Sequence, residues 1–225
     1  MTQLRAFASR EALVAAAAQY IADALAGAVE QRGQACAALS GGSTPAPAYH
    51  ALADMPLDWP RITFLLADER WVPPSDDASN EGMLRRALAP ALAAGARLLP
   101  LYAPDVTLED AATKADARYA GHAIDVAVMG MGADGHTASW FPHSPDLAAA
   151  LDPESARTVI GVRAPGAAGS PERLTLTRAA VAKAKRALLL IAGAEKRAAL
   201  EAAQCMSAPI AALLAAAPAE IFWAN

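Results

Sequence analysis

The sequence predicts an α/β fold, with a mostly parallel sheet flanked by helices. Its strand-like runs are apolar almost throughout, which indicates strands buried on both faces. Each run is followed by a glycine or polar break and then by a helical stretch, the alternation typical of parallel sheets. The chain of 225 residues is long enough for a substantial core and has no composition boundary, so we expect a single domain over residues 1–225.

Eight apolar runs are predicted as strands. They lie at 34–40, 62–68, 97–102, 125–130, 158–162, 173–177, 187–193 and 220–224.

Six helices are predicted between these strands, at about 9–31, 45–53, 79–89, 107–121, 194–204 and 208–216. The first is an alanine run interrupted by Gln19 and Asp23, which indicates an amphipathic helix. The stretch 161–174 is rich in Gly, Pro and Ser, which predicts a flexible surface loop.

Composition argues against several classes of partner. A net charge of −4 lacks the basic footprint of a nucleic-acid binder, and 5% aromatic residues provide few platforms for base stacking.

The first ten residues lack the pattern of a signal peptide. The apolar run 205–219 contains two prolines and is shorter than the ~18 residues of a membrane span. Cys36 and Cys205 form no CxxC motif, so we expect reduced thiols in a cytoplasmic protein without nucleic-acid or membrane partners.

The first predicted strand ends at SGGSTPAP, residues 40–47. Gly41 and Gly42 permit a tight turn that exposes backbone N–H groups, Thr44 is a candidate helix cap, and Pro45 suits the first helical position. Such a turn favours an anion. An ordinary capped helix start is the alternative, and no Walker lysine follows.

The next strand ends at Asp68, Glu69 and Arg70. These residues could form a surface ion pair of little consequence. Their position at a strand end instead favours a site, in which Arg70 can bind a phosphate through two parallel hydrogen bonds. Ser79 is a plausible cap for the helix that follows.

GMGADG, residues 130–135, matches the G-x-G-x-x-G pattern of dinucleotide sites. Three features argue against that function. The match lies past the middle of the chain, Pro142 soon ends any helix that it opens, and no acidic residue follows at the distance needed for ribose.

His136 follows this turn, with Asp134 two residues before it. An imidazole is the natural base near neutral pH, and a carboxylate partner would orient it. A structural histidine is the alternative. A zinc site formed with His143 lacks a third ligand at a recognisable spacing, so we expect no metal and no cofactor.

The strand at 187–193 ends at Gly193, and Lys196 stands in the first turn of the next helix. Cations usually disfavour that end of a helix, so this lysine is either solvated or binds an anion there. The sequence has no G-x-S-x-G motif and no cysteine beside a histidine, which argues against a covalent nucleophile. The strand ends therefore predict acid–base chemistry on a small phosphorylated substrate.

Five motifs occur in the order seen in bacterial 6-phosphogluconolactonases, which this sequence resembles: SGGSTP (40–45), DERWVP (68–73) with SN (79–80), GMGADGHTASWFP (130–142), ERLTLT (172–177) and AGAEK (192–196). The resemblance covers roughly residues 36–200. It implies a modified Rossmann-like fold and hydrolysis of 6-phospho-D-glucono-1,5-lactone to 6-phosphogluconate in the oxidative pentose phosphate pathway.

The resemblance also implies roles for individual residues. His136 would be the general base, with Asp134 as its orienting partner. The 6-phosphate would be held by Arg70, Lys196 and the turn of Gly42, Ser43 and Thr44, with Arg173 a weaker candidate. Gly41, Asp68 and Gly132 complete the expected substrate-binding set. We further infer that backbone N–H groups at 130–132 could stabilise the oxyanion.

The sequence departs from the family pattern before ERLTLT, where GAAGSP replaces a Lys-Pro-Pro-like segment. A glucosamine-6-phosphate deaminase is the nearest rival, but that family has a tyrosine after the acid pair and Asn-Glu-Pro after the histidine motif. A non-catalytic sugar-phosphate sensor is a second rival. We expect a sugar-phosphate lactone as the small-molecule partner and a monomer or weak homo-oligomer.

Overall fold

The computed structural model describes residues 3–205 and 208–225. Its main sheet has seven strands, all parallel, in the order β1-β10-β9-β6-β2-β3-β5. The strands are β1 (Gln3–Phe7), β2 (Ala35–Leu39), β3 (Ile62–Leu66), β5 (Arg97–Leu99), β6 (Val126–Met129), β9 (Arg186–Ala192) and β10 (Ala219–Ala224). The predicted α/β class is confirmed, and every residue of β2, β3 and β6 is buried.

A second sheet is antiparallel and has the order β4-β8-β7. Its strands are β4 (Asp68–Arg70), β7 (Val159–Arg163) and β8 (Glu172–Leu176). The runs at 158–162 and 173–177 therefore do not join the parallel sheet, because they pair with each other as a hairpin. The predicted loop 161–174 is correspondingly shorter, since only 164–171 lies between the two strands.

Helices cover both the predicted segments and three short ones that the sequence did not indicate. They are α1 (Arg10–Arg32), α2 (Ala46–Ala53), α3 (Asn80–Ala87), α4 (Ala89–Ala93), α5 (Leu108–Tyr119), α6 (Leu147–Leu151), α7 (Arg178–Ala182), α8 (Ala194–Cys205) and α9 (Pro209–Ala216), with a 3₁₀ turn at Trp59–Arg61. The missed helices α4, α6 and α7 have five residues each, too few to show a helical period.

Helix α1 belongs to the core. Within the described residues it is the one helix long and apolar enough to cross a membrane by length and composition. Its buried residues include Leu13 and Ala17, which pack in one cluster with Leu188, Leu190 and Phe222 of the sheet. It is therefore held by the sheet, although its alanine-rich sequence separates apolar from polar residues only weakly between its two faces.

The two predicted helix caps have different outcomes. Ser79 caps α3, since its hydroxyl accepts from Gly82 N at 3.1 Å. Thr44 does not cap α2: that helix begins at Ala46, Pro45 occupies the cap position, and no side chain bonds the helix start. The chain before α2 forms a turn instead, which moves the helix start one residue further from Thr44.

The sheet order creates a crevice at its centre. From β2 the chain adds β3 and β5 on one side, and from β6 it adds β9 and β10 on the other. β2 and β6 are neighbours, so the loops after them leave in opposite directions. This is the topological switch point at which open parallel sheets bind ligands.

Candidate active site

A cavity of about 260 Å³ lies at the carboxyl ends of β2, β6 and β9. It collects every predicted site residue except Asp134. The predicted residues that line it are Gly41, Gly42, Ser43, Thr44, Asp68, Arg70, Gly132, His136, Arg173 and Lys196.

His136 and Asp134 form a close pair at this cavity. The Nδ1 atom of His136 lies 2.5 Å from Asp134 Oδ1, and His136 N donates to the same oxygen at 3.2 Å. Partial burial raises the pKa of Asp134, but the hydrogen bonds and charge of His136 outweigh it and hold that pKa below its usual value. The ionised carboxylate therefore engages Nδ1 and leaves Nε2 without a partner among the described residues.

Gly132 makes room for this pair. A Cβ at position 132 would lie 2.1 Å from two ring atoms of His136 and 2.6 Å from Asp134 Oδ1. The main chain must therefore lack a side chain here for the ring to reach its position.

Of the N–H groups at 130–132 inferred as oxyanion donors, the one of Gly132 is already used within the protein. That group donates to His136 O at 2.8 Å, within the turn itself. Its hydrogen is used to close the turn and is not free to stabilise a ligand.

Two aromatic residues hold the histidine segment. The ring of His136 stacks on Phe141 with centroids 4.2 Å apart. The fully buried Trp140 donates from Nε1 to Leu176 O at 2.8 Å, which fixes the segment to β8 of the second sheet.

The glycine turn after β2 presents unused donors. Among the described residues, the N–H groups of Gly41, Gly42, Ser43 and Thr44 have no protein acceptor. Gly42 has a φ of 112°, a conformation that favours glycine. The glycine turn predicted at 41–44 is thus present with free donors, without the predicted cap, and its binding of an anion stays a prediction.

Arg70 is the last residue of β4, and its side chain donates to a neutral carbonyl group. Its Nη1 donates to Ala78 O, and its buried Nε has no partner in the described structure. The adjacent Glu69 accepts from the backbone N of Arg70, Asn80 and Glu81 and from Ser79 Oγ. Burial raises the pKa of Glu69, and these four hydrogen bonds oppose that rise.

Lys196 reaches the cavity from α8. Its Nζ donates to Met131 O at 2.8 Å, beside the histidine turn. Neither Lys196 nor Arg70 pairs with a carboxylate in the part of the chain that the structure describes. The charge of neither cation is balanced by an ion pair, so both can attract an anionic ligand although the net charge of the chain is −4.

Arg173 has a different environment. It is 4% exposed, its Nε donates to Ser170 O and its Nη2 to Ala168 O, and its guanidinium lies 5.0 Å from the Phe141 ring centre. Asp68 Oδ2 is 4.0 Å from its Nη1. Arg173 thus holds the hairpin loop through two loop carbonyls. Unlike Arg70 and Lys196, it also has a carboxylate, that of Asp68, within ion-pair distance.

Asp68 is also tied to protein partners. Its Oδ2 accepts from Ser139 Oγ at 2.6 Å, and its Oδ1 lies 3.3 Å from Asn80 Nδ2. The sequence reasoning assigned no role to Ser139 or Asn80. A Cβ at Gly41 would lie 1.8 Å from Asn80 Oδ1, so Asn80 packs directly on the glycine turn. The SN pair at 79–80 was the one signal of this contact.

His143 lies apart from this cavity. It lines a neighbouring cavity of about 350 Å³ together with Phe141, Asp134 and His136. Among the described residues no group of three His, Cys, Asp or Glu side chains could hold a metal ion.

A sequence profile described as Glucosamine-6-phosphate isomerases/6-phosphogluconolactonase matches residues 8–223. The chain belongs to this family.

Relatives within the family carry the second of these two names. A 6-phosphogluconolactonase of Mesorhizobium japonicum is 44% identical, over 97% of this chain and 94% of its own. One from Pseudomonas aeruginosa is 46% identical over 90% and 87% of the two chains. The crystal structure of a 6-phosphogluconolactonase from Shewanella baltica matches with a TM-score of 0.93 and 32% identity, over 100% of this chain and 98% of that one.

Proposed function

We propose that this chain hydrolyses 6-phospho-D-glucono-1,5-lactone to 6-phospho-D-gluconate, with His136 as the general base. The observation that carries the proposal is the pairing of His136 with Asp134 in a cavity that also holds two cations without carboxylate partners. The names of the relatives support the substrate.

The His136–Asp134 pair supports the proposed base. A carboxylate at Nδ1 keeps the proton on that nitrogen and leaves Nε2 to accept a proton from water. The water attacks the lactone carbonyl, the ring C–O bond breaks, and the imidazolium returns its proton to the departing ring oxygen. Asp134 stabilises the imidazolium in between, because its own pKa is low.

Two cations and the glycine turn of the same cavity support binding of the phosphate. We assign the 6-phosphate to Arg70, Lys196 and the N–H groups of Gly42, Ser43 and Thr44. Free backbone donors in a glycine turn suit a phosphate, and hydrogen bonds to a charged group are stronger than neutral ones. Arg173 and Asp68, which bond protein groups, position the loop and the cavity wall beside it.

The proposed reaction has a natural setting. A sugar-phosphate lactone arises by oxidation of a sugar phosphate, and its hydrolysis is a step of the oxidative pentose phosphate pathway. We place the enzyme there, in the cytoplasm, acting without a cofactor.

The test is the rate of decay of freshly generated 6-phosphogluconolactone above its spontaneous rate. The wild-type chain should accelerate the decay in the presence of a chelator, and His136→Ala should lower kcat by about 10²- to 10⁴-fold, the usual contribution of a positioned base.

His50→Ala is the matched control, because His50 is an exposed histidine of α2. It should retain the wild-type kcat. Equal activity of His136→Ala and His50→Ala would remove His136 as the base, and an inactive wild-type chain would refute the lactonase proposal.

A further inference from the structure

Ser40 is a buried side chain of the cavity to which neither the sequence motifs nor the proposed mechanism gives a role. It follows the last residue of β2 and is 4% exposed. It lines the same cavity as His136 and Lys196. Its Oγ is buried and has no hydrogen-bond partner in the described part of the chain. Leaving a buried hydroxyl unpaired is unfavourable, so such a group at a cavity wall points to a ligand.

The main chain of Ser40 is fixed on both sides. Its N–H donates to Val128 O at 2.9 Å, and its carbonyl accepts from the hydroxyl of the fully buried Tyr49 at 3.0 Å. Ser40 therefore cannot turn its backbone groups to the ligand, and only the hydroxyl is free to bind one.

The Ser40 hydroxyl lies next to Gly130, where the main chain carries no side chain. Apart from residues 129 and 131, Ser40 Oγ is the one described atom within 4 Å of a Cβ added at Gly130, at 3.9 Å. Gly130 begins the turn that leads to His136, and both residues line the same cavity as Ser40.

We propose that Ser40 Oγ binds a ring hydroxyl of the sugar lactone and so sets specificity for it. This inference rests on the proposed function. A serine hydroxyl both donates and accepts, as a sugar hydroxyl does, whereas the phosphate has the cations and the glycine turn. A covalent role for Ser40 is disfavoured, because a nucleophile needs a base within hydrogen-bond reach and Oγ has no partner.

The experiment compares Ser40→Ala with the wild-type chain on four substrates: 6-phosphogluconolactone and its 2-deoxy, 3-deoxy and 4-deoxy analogues. Ser40→Ala should lower kcat/KM on the full lactone by about tenfold or more, since the substrate hydroxyl loses its partner. On one deoxy lactone, wild type and variant should have equal kcat/KM, because the bond is absent from both.

Thr137→Val is the matched control. Thr137 is a second buried residue whose hydroxyl has no partner among the described residues, but it does not line this cavity. Thermal unfolding should show both variants at least as stable as wild type, and only Ser40→Ala should lose activity. A Ser40→Ala chain within twofold of wild type would refute the inference while the lactonase proposal stood. An equal loss on all four lactones would also refute it, because Ser40 would then act on the carbonyl or on the fold.

Binding of the product separates the inference from the proposed activity. Calorimetry with 6-phosphogluconate and its deoxy analogues should show the same pattern in Kd, even if the wild-type chain proved inactive. No binding of 6-phosphogluconate by the wild-type chain would overturn both proposals.

Discussion

At the scale of single residues, the site depends on side chains that are absent as much as on those present. Gly132 and Gly41 each lie where a Cβ would overlap a side chain, His136 in one case and Asn80 in the other. Interiors are close-packed, so such overlaps force one partner to move. The glycines of the two motifs thus leave room for a neighbouring side chain, in addition to permitting the turns.

Gly132→Ala should abolish most activity without unfolding the protein. The new methyl overlaps the imidazole and Asp134 Oδ1, so the His136–Asp134 pair must separate. We expect a loss in kcat of about 10²-fold or more, comparable to removal of the base. The measurement is the lactone assay combined with circular dichroism.

Gly27→Ala is the control for this variant. Gly27 lies in α1, and a Cβ there would meet nothing within 4 Å. Its activity should be unchanged and its stability should rise by about 0.5–1 kcal/mol. Full activity of Gly132→Ala would contradict the packing argument.

Arg70→Ala should discriminate between phosphorylated and unphosphorylated lactones. Loss of a charged donor should raise KM for 6-phosphogluconolactone by about 10- to 100-fold. The KM for glucono-1,5-lactone should stay near the wild-type value. Arg86→Ala, at an exposed arginine of α3, is the control, and an equal rise for both lactones would deny Arg70 its phosphate role.

The sequence predicted which site residues lie at the ends of strands, but it did not predict the hydrogen bonds that these residues form. His136, Arg70 and Lys196 stand in motifs, and the structure brings them to one cavity. The attachment of Arg173 to loop carbonyls and the closure of the histidine turn by the Gly132 N–H depend on distant or backbone partners. Ser40 opens the SGGSTP motif, but its unpaired hydroxyl is visible only once its neighbours are placed.

At the scale of elements, the start of α3 is organised by one buried carboxylate. Glu69 of β4 bonds the backbone N of Asn80 and Glu81 and the cap hydroxyl of Ser79. A carboxylate at a helix N-terminus satisfies donors that have no partner within the helix. Through this contact, β4 fixes both Arg70 and the helix that carries Asn80.

Glu69→Gln should destabilise the fold by about 1–3 kcal/mol. The amide group has one acceptor oxygen instead of two, so at least one buried donor loses its partner. Burial raises the pKa of Glu69, which means that its buried charge is unfavourable. Removal of that charge in the glutamine variant therefore reduces the loss of stability but does not cancel it. Urea unfolding measures the change, with the exposed Glu30→Gln in α1 as control. Equal stability of the two variants would disprove the anchoring role.

The parallel sheet was predictable from its apolar strands, whereas the second sheet was not recognised. β4 has three residues and is polar, and the sequence of β1, QLRAF, is mixed. Both depend on a partner strand for their conformation. β7 and β8 were predicted as strands, but a local pattern does not state which strand will be the neighbour.

At the scale of the whole molecule, the topology turns distant motifs into one site. The loops after β2, β6 and β9 come from three parts of the chain and meet because these strands lie side by side at the switch point. The second sheet closes the same end of the crevice, since Ala67 N bonds Leu39 O and Leu176 N bonds Ala67 O. The cavity therefore holds the cations Arg70 and Lys196 although the chain as a whole has a net charge of −4.

The place of β10 in the sheet has a consequence for biosynthesis. This strand, Ala219–Ala224, lies between β1 and β9 and is, within residues 3–205 and 208–225, the one sheet neighbour of β1. During translation β1 therefore waits for this neighbour until residues 219–224 have left the ribosome. β10 enters the sheet between two strands that precede it in the chain, so this flank forms only after those residues have been synthesised.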